Sequence, residues 1–139
     1  MNTFLPHKSF KKSAQVLDYK RLGNQRSETW QIIDILVFHK ESRWKSHPAI
    51  KLWQGYEKAL IQYGIEICRE WIRRGHEDNM LPRFLKLQEE LGNMNVIYPP
   101  ILFKKEFTAS HKSNLLRKDK AYYSKYFSGI PDNLPYVWK

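Results

Sequence analysis

Apolar residues recur at helical spacing along most of the chain. The first run extends from about Phe10 to about Phe38, and Ser9 before it is a residue suited to an N-cap. Gly23 lies within this run and costs about 1 kcal/mol relative to alanine, so a break or kink would fall there. The pattern predicts a long first helix over about residues 10–38.

A second long helix is predicted over about residues 48–74. Pro48 lies in its first turn, where the missing N–H does no harm, and Gly75 follows its end. Apolar residues on more than one face predict a central helix that is buried on several sides. One face carries Trp53, Leu60, Ile67 and Trp71, and another carries Ile61, Ile65, Cys68 and Ile72.

The remaining third of the chain has shorter elements. A third amphipathic helix is expected from 81 to 92, and a loop over 93–107 that includes two consecutive prolines. A last helix should begin at Thr108 or Ser110, and the tail over 129–139 should be irregular. The β signal is weak throughout, so the sequence predicts one all-α domain covering all 139 residues.

A polar stripe interrupts the apolar face of the first helix. If the helix is continuous, Asp18, Arg21, Gln25 and Glu28 share one face, because their spacings are three, four and three. The same arc holds the apolar residues that should face the second helix: Phe10, Ala14, Leu17, Leu22, Ile32, Ile35 and Leu36. Polar residues therefore lie where a helix–helix contact should be.

Two interpretations of this stripe remain open. The first is a salt-bridge network at the edge of the core, in which Asp18 pairs with Arg21, and Arg21 or Gln25 pairs with Glu28. The second is a polar pocket in the groove, with Glu28 or Asp18 as acid or base and with Arg21 and Arg26 as phosphate ligands. Spacing alone does not decide between them.

Charge and composition favour a polyanionic partner. The chain has 24 Lys+Arg against 14 Asp+Glu, for a formal net charge of +10, and 14% of its residues are aromatic. A hydrophobic content of 42% excludes a disordered tail. Nucleic acid is the first expectation for such a protein.

Other sequence features bound the class of protein. The single cysteine, Cys68, excludes an internal disulfide framework and a multi-cysteine zinc site, and its place on the second helix predicts a core residue. No apolar run approaches the roughly 20 residues that span a bilayer, and the first residues lack the pattern of a signal peptide. These features predict a cytoplasmic, intracellular protein without a membrane partner.

Three further candidates carry a functional and a structural interpretation each. His47 precedes the second helix and could meet a phosphate at the helix N-terminus, or could serve as a cap. Glu57 is a rival to Glu28 for a carboxylate role. Basic and aromatic residues alternate over 111–127, which suits phosphate and base contacts but also describes a solvated face above packed tyrosines.

No sequence motif calls for a cofactor. The chain contains no P-loop, no dinucleotide fingerprint and no zinc motif, and its histidines show no ligand spacing. The prediction is therefore that neither a metal nor an organic cofactor is needed.

Several segments together resemble the pyrimidine-dimer DNA glycosylases of the endonuclease V type, in a distant bacterial and viral branch. The matching segments cover most of the chain. They are Thr3-Phe4-Leu5-Pro6, Arg21-Leu22-Gly23-Asn24-Gln25-Arg26-Ser27-Glu28, His47-Pro48, Trp53-Gln54-Gly55-Tyr56-Glu57, Leu115-Leu116-Arg117-Lys118-Asp119 and Leu134-Pro135-Tyr136-Val137-Trp138.

The resemblance implies a DNA repair glycosylase with AP-lyase chemistry. In that family an N-terminal α-amine attacks the anomeric carbon of a damaged nucleotide and forms a Schiff base, and a glutamate on the first helix assists. Because methionine is usually retained before asparagine, the implied amine is that of Met1, and Glu28 is the implied glutamate. α-Amines suit this role because their reference pKa of about 7.7–8.0 leaves a neutral fraction near pH 7.

The resemblance also assigns supporting and DNA-binding roles. Gln25 and Asp18 would orient Glu28. The implied DNA contacts are Thr3, Arg21, Arg26, His47, Lys112, Arg117, Lys118 and Lys125. The expected partner is double-stranded DNA with a damaged or modified base, bound by a monomer. The alternative is a non-catalytic module with the same fold that recognises distorted or modified DNA.

Overall fold

The computed structural model describes all 139 residues, and its regular elements are all helices, with no strand. Two 3-10 turns accompany seven helices, and the predicted all-α class is confirmed. The helices are α1 Phe10–Val16, α2 Tyr19–Val37, α3 Pro48–Trp53, α4 Glu57–Arg73, α5 Leu81–Leu91, α6 Lys105–Lys118 and α7 Lys120–Tyr123, and the 3-10 turns are Arg43–Ser46 and Pro100–Phe103.

The helix predicted over 10–38 is divided at Leu17 and Asp18, and not at Gly23. Leu17 is extended, with φ −68° and ψ 139°. The Tyr123 hydroxyl accepts a hydrogen bond from the Asp18 N–H at 2.9 Å and donates one to the Asp18 carboxylate. A tertiary contact therefore replaces the helical hydrogen bonding that local spacing predicts.

Gly23 lies inside the unbroken helix α2 because its missing side chain makes room for a neighbour. A Cβ at this position would lie 3.0 Å from Cη2 of Trp71 on α4. The glycine thus allows close packing between α2 and α4.

The helix predicted over 48–74 is divided between α3 and α4. Gly55 lies between them with φ +89°, in the left-handed region that favours glycine. The Glu57 carboxylate accepts a hydrogen bond from the Gly55 N–H at 3.1 Å, which fixes the turn. The polypeptide consequently changes direction here, although the apolar spacing continues.

The later elements follow the predictions more closely. Helix α5 matches the predicted third helix and packs on α4, where a Cβ on Gly64 would lie only 2.3 Å from Phe84. Helix α6 begins at Lys105, a few residues before the predicted caps, and a short α7 follows it. The tail from Gly129 is irregular, as predicted.

One hydrophobic core joins the helices to the N-terminal segment. Helix α4 packs against α1, α2 and α5, which confirms the prediction of a central helix buried on several sides. Phe4 and Leu5 belong to the same core, so the first residues run through the interior. Cys68 is fully buried, as predicted, and burial raises the pKa of its thiol to about 12. None of the helices combines the length and apolar character needed to cross a bilayer.

Candidate active site at the chain N-terminus

The N-terminal segment, Asn2–Leu5, is held by side chains instead of by a neighbouring strand. Gln25 of α2 is the central residue of this arrangement and is 1% exposed. Its Oε1 accepts a hydrogen bond from the Phe4 N–H at 3.1 Å, and its Nε2 donates to the Asn2 carbonyl at 3.0 Å. A glutamine therefore supplies the pairing that a β-ladder would supply.

Three further helices hold the same segment. The indole Nε1 of Trp53 on α3 donates to the Thr3 hydroxyl at 3.0 Å. The Tyr63 hydroxyl on α4 lies 2.8 Å from both the Phe4 carbonyl and Gln25 Oε1. Thr3, which was predicted to contact DNA, is 2% exposed and so supports the segment from within the core.

His111 of α6 provides the last of these contacts. Its Nδ1 accepts a hydrogen bond from the Leu5 N–H at 3.0 Å, and burial lowers the pKa of the imidazole to about 3. The ring is therefore neutral with its proton on Nε2, and it packs edge-on against Tyr136, with ring centroids 5.3 Å apart. Nε2 has no hydrogen-bond partner.

Glu28 lies directly beside this segment. Gln25 Nε2 donates to Glu28 Oε2 at 3.0 Å as well as to the Asn2 carbonyl, so one amide nitrogen bridges the carboxylate to the start of the chain. Burial raises the pKa of Tyr63 well above its usual range, and the nearby negative charge of Glu28 raises it further. Glu28 forms no ion pair.

The positive charge of the Met1 α-amine acts on His47. Burial lowers the pKa of His47, and the positive charge of the chain amine lowers it further, because a like charge nearby disfavours protonation. His47 Nδ1 accepts a hydrogen bond from the Ala49 N–H at 3.1 Å and so caps α3. The α-amine forms no ion pair, which leaves it available to a ligand.

Tyr136 closes the site from the C-terminal tail. Burial raises the pKa of its phenol, while the nearby Asn2 amide and the positive charges of Arg117 and Arg21 lower it. The negative charge of Glu28 also raises this pKa. The tail thus brings a phenol to the same few residues that hold the start of the chain.

The predicted polar stripe separates into two pairs. Asp18 and Arg21 form a salt bridge at 3.2 Å near the beginning of α2, whereas Gln25 and Glu28 pair one to two turns later. The Asp18 carboxylate also accepts a hydrogen bond from the Tyr123 hydroxyl. The first pair follows the salt-bridge interpretation, and the second forms a polar cluster with the Asn2 carbonyl.

Arg26 is engaged away from this polar cluster. Its Nε donates to Asp78 Oδ1 at 2.7 Å, its Nη2 donates to Asn79 at 3.1 Å, and the guanidinium lies 5.1 Å from the centre of the Trp71 ring. Asp78 in turn accepts the Leu81 N–H at 2.7 Å at the beginning of α5. Arg26 therefore links α2 to the turn before α5.

Arg117 is also engaged within the protein. Its Nη1 donates to the Asp132 carbonyl at 2.7 Å and its Nη2 to the Leu134 carbonyl at 2.8 Å. Nη2 also contacts Asn114 Oδ1. These contacts hold the irregular tail, and thereby Tyr136, against α6.

The three predicted lysines of the C-terminal region lie over aromatic rings. Lys118 Nζ is 6.0 Å from the centre of the Phe4 ring, which places it beside the N-terminal segment. Lys112 Nζ is 5.9 Å from Phe127, and Lys125 Nζ is 4.6 Å from Tyr122. Their charges remain without carboxylate partners.

Glu57, the rival carboxylate, lies elsewhere. It contacts the Gly55 N–H and lines a cavity of about 200 Å³ together with Ile35, Leu36, Lys40, Lys45 and Gln54. Gln25, the N-terminal segment and Glu28 are not part of that cavity.

The sequence did not indicate Asn2, Tyr63, His111 or Tyr136 as site residues. His111 meets Leu5 across 106 positions, and no local pattern reports such a contact. The one available signal was the concentration of polar residues on α2, which marked the place where these distant residues converge. No group of three or more His, Cys, Asp or Glu side chains is placed to hold a metal ion.

The fold and site define a small, basic, all-helical protein in which one buried glutamine joins an unpaired carboxylate to the N-terminal segment. A family model described as pyrimidine dimer DNA glycosylase matches residues 1–83, which is more than half of the chain. The chain belongs to this family. No curated protein and no solved structure matches it. The matched part includes the N-terminal segment, Gln25, Glu28, His47 and Tyr63.

Proposed function

We propose that the protein removes damaged bases from double-stranded DNA through the Met1 α-amine and Glu28. The observation that carries the proposal is the double hydrogen bond of Gln25 Nε2, which joins the Glu28 carboxylate to the residue that follows Met1. Neither the amine nor the carboxylate is neutralised by an ion pair, in a chain of net charge +10. Family membership supports a DNA substrate.

The proposed chemistry begins with the neutral α-amine. Its nitrogen attacks C1′ of the damaged nucleotide, the C1′–N bond to the base breaks, and the base leaves with the electron pair and takes up a proton. The amine nitrogen then loses a proton, the C1′–O4′ bond opens, and protonation of O4′ leaves an iminium between C1′ and the amine. Glu28 is suited to carry these protons, since it lies beside the amine's segment.

Strand cleavage would follow from the same intermediate. Removal of a C2′ proton by the Glu28 carboxylate allows the electrons to move toward the iminium, and the 3′ phosphate leaves. Water then releases the amine. We assign Gln25 as a positioning residue, because it fixes Glu28 and the N-terminal segment with one amide.

DNA would be held by positive charges of α2 and the C-terminal region. Arg21, Lys112, Lys118 and Lys125 are the proposed charged phosphate contacts, and His47, whose pKa is lowered, would contact a phosphate as a neutral N–H donor. Arg26 and Arg117 would support this surface indirectly, since their guanidinium groups hold the turn before α5 and the C-terminal tail. The charge of Asp18 is met by Arg21 and Tyr123, which gives Asp18 a supporting role at the start of α2.

Comparing Glu28→Gln with Glu57→Gln on ultraviolet-irradiated duplex DNA tests the proposal. Glu28→Gln removes the proton carrier and should lower the rate of base release about 10²- to 10⁴-fold, with DNA affinity retained. Glu57→Gln keeps an oxygen for the Gly55 N–H and should leave the rate unchanged. Equal rates in the two variants would refute the role of Glu28. Tight binding by the wild-type protein without base release would identify a non-catalytic module instead.

A further inference from the structure

The 3-10 turn between α2 and α3 presents a tryptophan to solvent. Trp44 is 57% exposed, and Arg43 and Lys45 on either side of it are also exposed. By contrast, Trp53 is fully buried, and Trp30 and Trp71 pack against the core. Trp44 therefore offers an indole face to a ligand, with a cation on either side of it.

The turn that carries Trp44 is structured. The Trp44 N–H donates to the Ser42 hydroxyl at 3.2 Å, and the Lys45 N–H donates to the Ser42 carbonyl at 3.1 Å. The His47 N–H donates to the Trp44 carbonyl at 2.9 Å. These bonds fix the backbone, so the indole projects from a rigid base instead of from a loose loop.

Contacts through α3 connect this turn to the candidate active site. The Trp44 ring lies 6.3 Å from the His47 ring, measured between centroids, and His47 caps α3. At the other end of α3, Trp53 donates its indole N–H to Thr3. The turn also packs on α2, the helix that carries Gln25 and Glu28. Trp44 is therefore held in a fixed position relative to the N-terminal segment.

The electrostatics of the turn suit a nucleic acid. Arg43 and Lys45 take part in no ion pair, so both charges are available to an anion. Aromatic side chains stack on nucleobases irrespective of sequence, and neighbouring cations bind the phosphates on either side. A protein partner would instead favour a wider apolar patch around the indole, and the neighbours of Trp44 in the turn are charged or polar.

We propose that Trp44 stacks on a nucleobase that is unpaired at the lesion, while Arg43 and Lys45 hold the phosphates beside it. This inference rests on the proposed function, because it assumes a damaged duplex at the N-terminal site. Trp44 acts here as a positioning residue, since it contacts DNA but takes no part in bond breaking. The Trp44 indole would occupy the gap that the damaged nucleotide leaves in the base stack.

The test measures the affinity of the full chain for a duplex with one tetrahydrofuran abasic analogue, which cannot form an iminium, and for the same duplex undamaged. Trp44→Ala should weaken binding to the abasic duplex about 5- to 150-fold and binding to the undamaged duplex much less. Trp44→Phe should recover most of the affinity because it keeps an aromatic face. Phe103→Ala is the matched control, since Phe103 is 56% exposed in the other 3-10 turn and is followed by two lysines.

A stacking-specific signal separates this contact from a general loss of affinity. With 2-aminopurine placed opposite the abasic site, saturating wild-type protein should quench its fluorescence more than saturating Trp44→Ala does. Equal affinity and equal quenching in the two proteins would overturn the inference. Borohydride trapping of the wild-type protein on the same sequence with a natural abasic site reports the proposed function independently. A trapped adduct with no Trp44 effect refutes only the stacking role, and a Trp44 effect without an adduct refutes only the chemistry.

Discussion

Gln25 shows how much of the site depends on one neutral side chain. The carboxamide oxygen accepts hydrogen bonds from the Phe4 N–H and the Tyr63 hydroxyl. The carboxamide nitrogen donates to the Asn2 carbonyl and to the Glu28 carboxylate. A charged residue here would bring an unpaired charge into the core, and a hydrocarbon would leave the Phe4 N–H and the Asn2 carbonyl without this partner. The position therefore requires an amide that both donates and accepts.

We expect Gln25→Leu to lower the free energy of unfolding by about 2–4 kcal/mol, since it leaves the buried Phe4 N–H and other polar groups without their partner. Urea denaturation measures this change. Gln31→Leu, on the exposed face of the same helix, is the control and should change stability by no more than about 0.5 kcal/mol. Similar losses in the two variants would contradict the central place of Gln25.

His111 makes stability depend on pH. Its pKa is about 3 in the folded protein, against about 6.5 in an unfolded chain, so the unfolded state binds one more proton between these values. The free energy of unfolding should therefore fall as the pH drops below 6.5, by up to about 1.4 kcal/mol per pH unit. The effect is absent above pH 6.5, where both states are neutral.

His111→Asn isolates this dependence, because asparagine can still accept the Leu5 N–H but does not titrate. Between pH 7 and pH 5 the wild-type protein should lose about 2 kcal/mol more than His111→Asn. Denaturation curves at the two pH values give the difference. Parallel losses would mean that the buried imidazole takes up its proton in the folded state.

At the scale of elements, the sequence predicted where helices lie but not where they break. Residues 10–38 and 48–74 have helical spacing almost throughout, and each contains two helices. The first break depends on Tyr123, which is 105 residues from Asp18, and no local pattern contains that information. Gly55 could have indicated the second break, but its effect depends on a positive φ that spacing does not report.

Local spacing was equally unable to predict the tertiary contacts of the site. Helix α2 contains Arg21, Gln25 and Glu28 and has Asp18 as its N-cap. Helical spacing could therefore identify these four residues together. Their division into two pairs depends on partners from the N-terminal segment and from α7, which only the folded chain brings close. Polar residues in an apolar arc thus indicated the place of the polar cluster, and tertiary contacts determined the partners of each residue.

Tyr123→Phe tests the origin of the first break. It removes the hydroxyl that both accepts the Asp18 N–H and donates to the Asp18 carboxylate, and we expect a loss of about 1–3 kcal/mol in the free energy of unfolding. Thermal or urea unfolding provides the measurement. Tyr126→Phe, at a ring that is 48% exposed, should have little effect. If both variants were equally stable, the break would have another cause.

At the scale of the whole molecule, the net charge of +10 has several structural uses. Arg26, Arg74 and Arg117 connect elements of the fold, whereas Lys112, Lys118, Arg43 and Lys45 form no ion pair. These free charges lie on α6 and on the turn before α3. Glu28 and the Met1 α-amine are likewise outside any ion pair, as the proposed chemistry requires.

Borohydride trapping on a duplex with one abasic site tests the central claim most directly, since it reduces an iminium to a stable bond between protein and DNA. Peptide mass spectrometry of the adduct should locate that bond at the α-amine of Met1. Lys118→Arg should trap as well as the wild-type protein, although Lys118 lies beside Phe4. An adduct on Lys118 or another lysine, or no adduct from a protein that still releases damaged bases, would contradict the account.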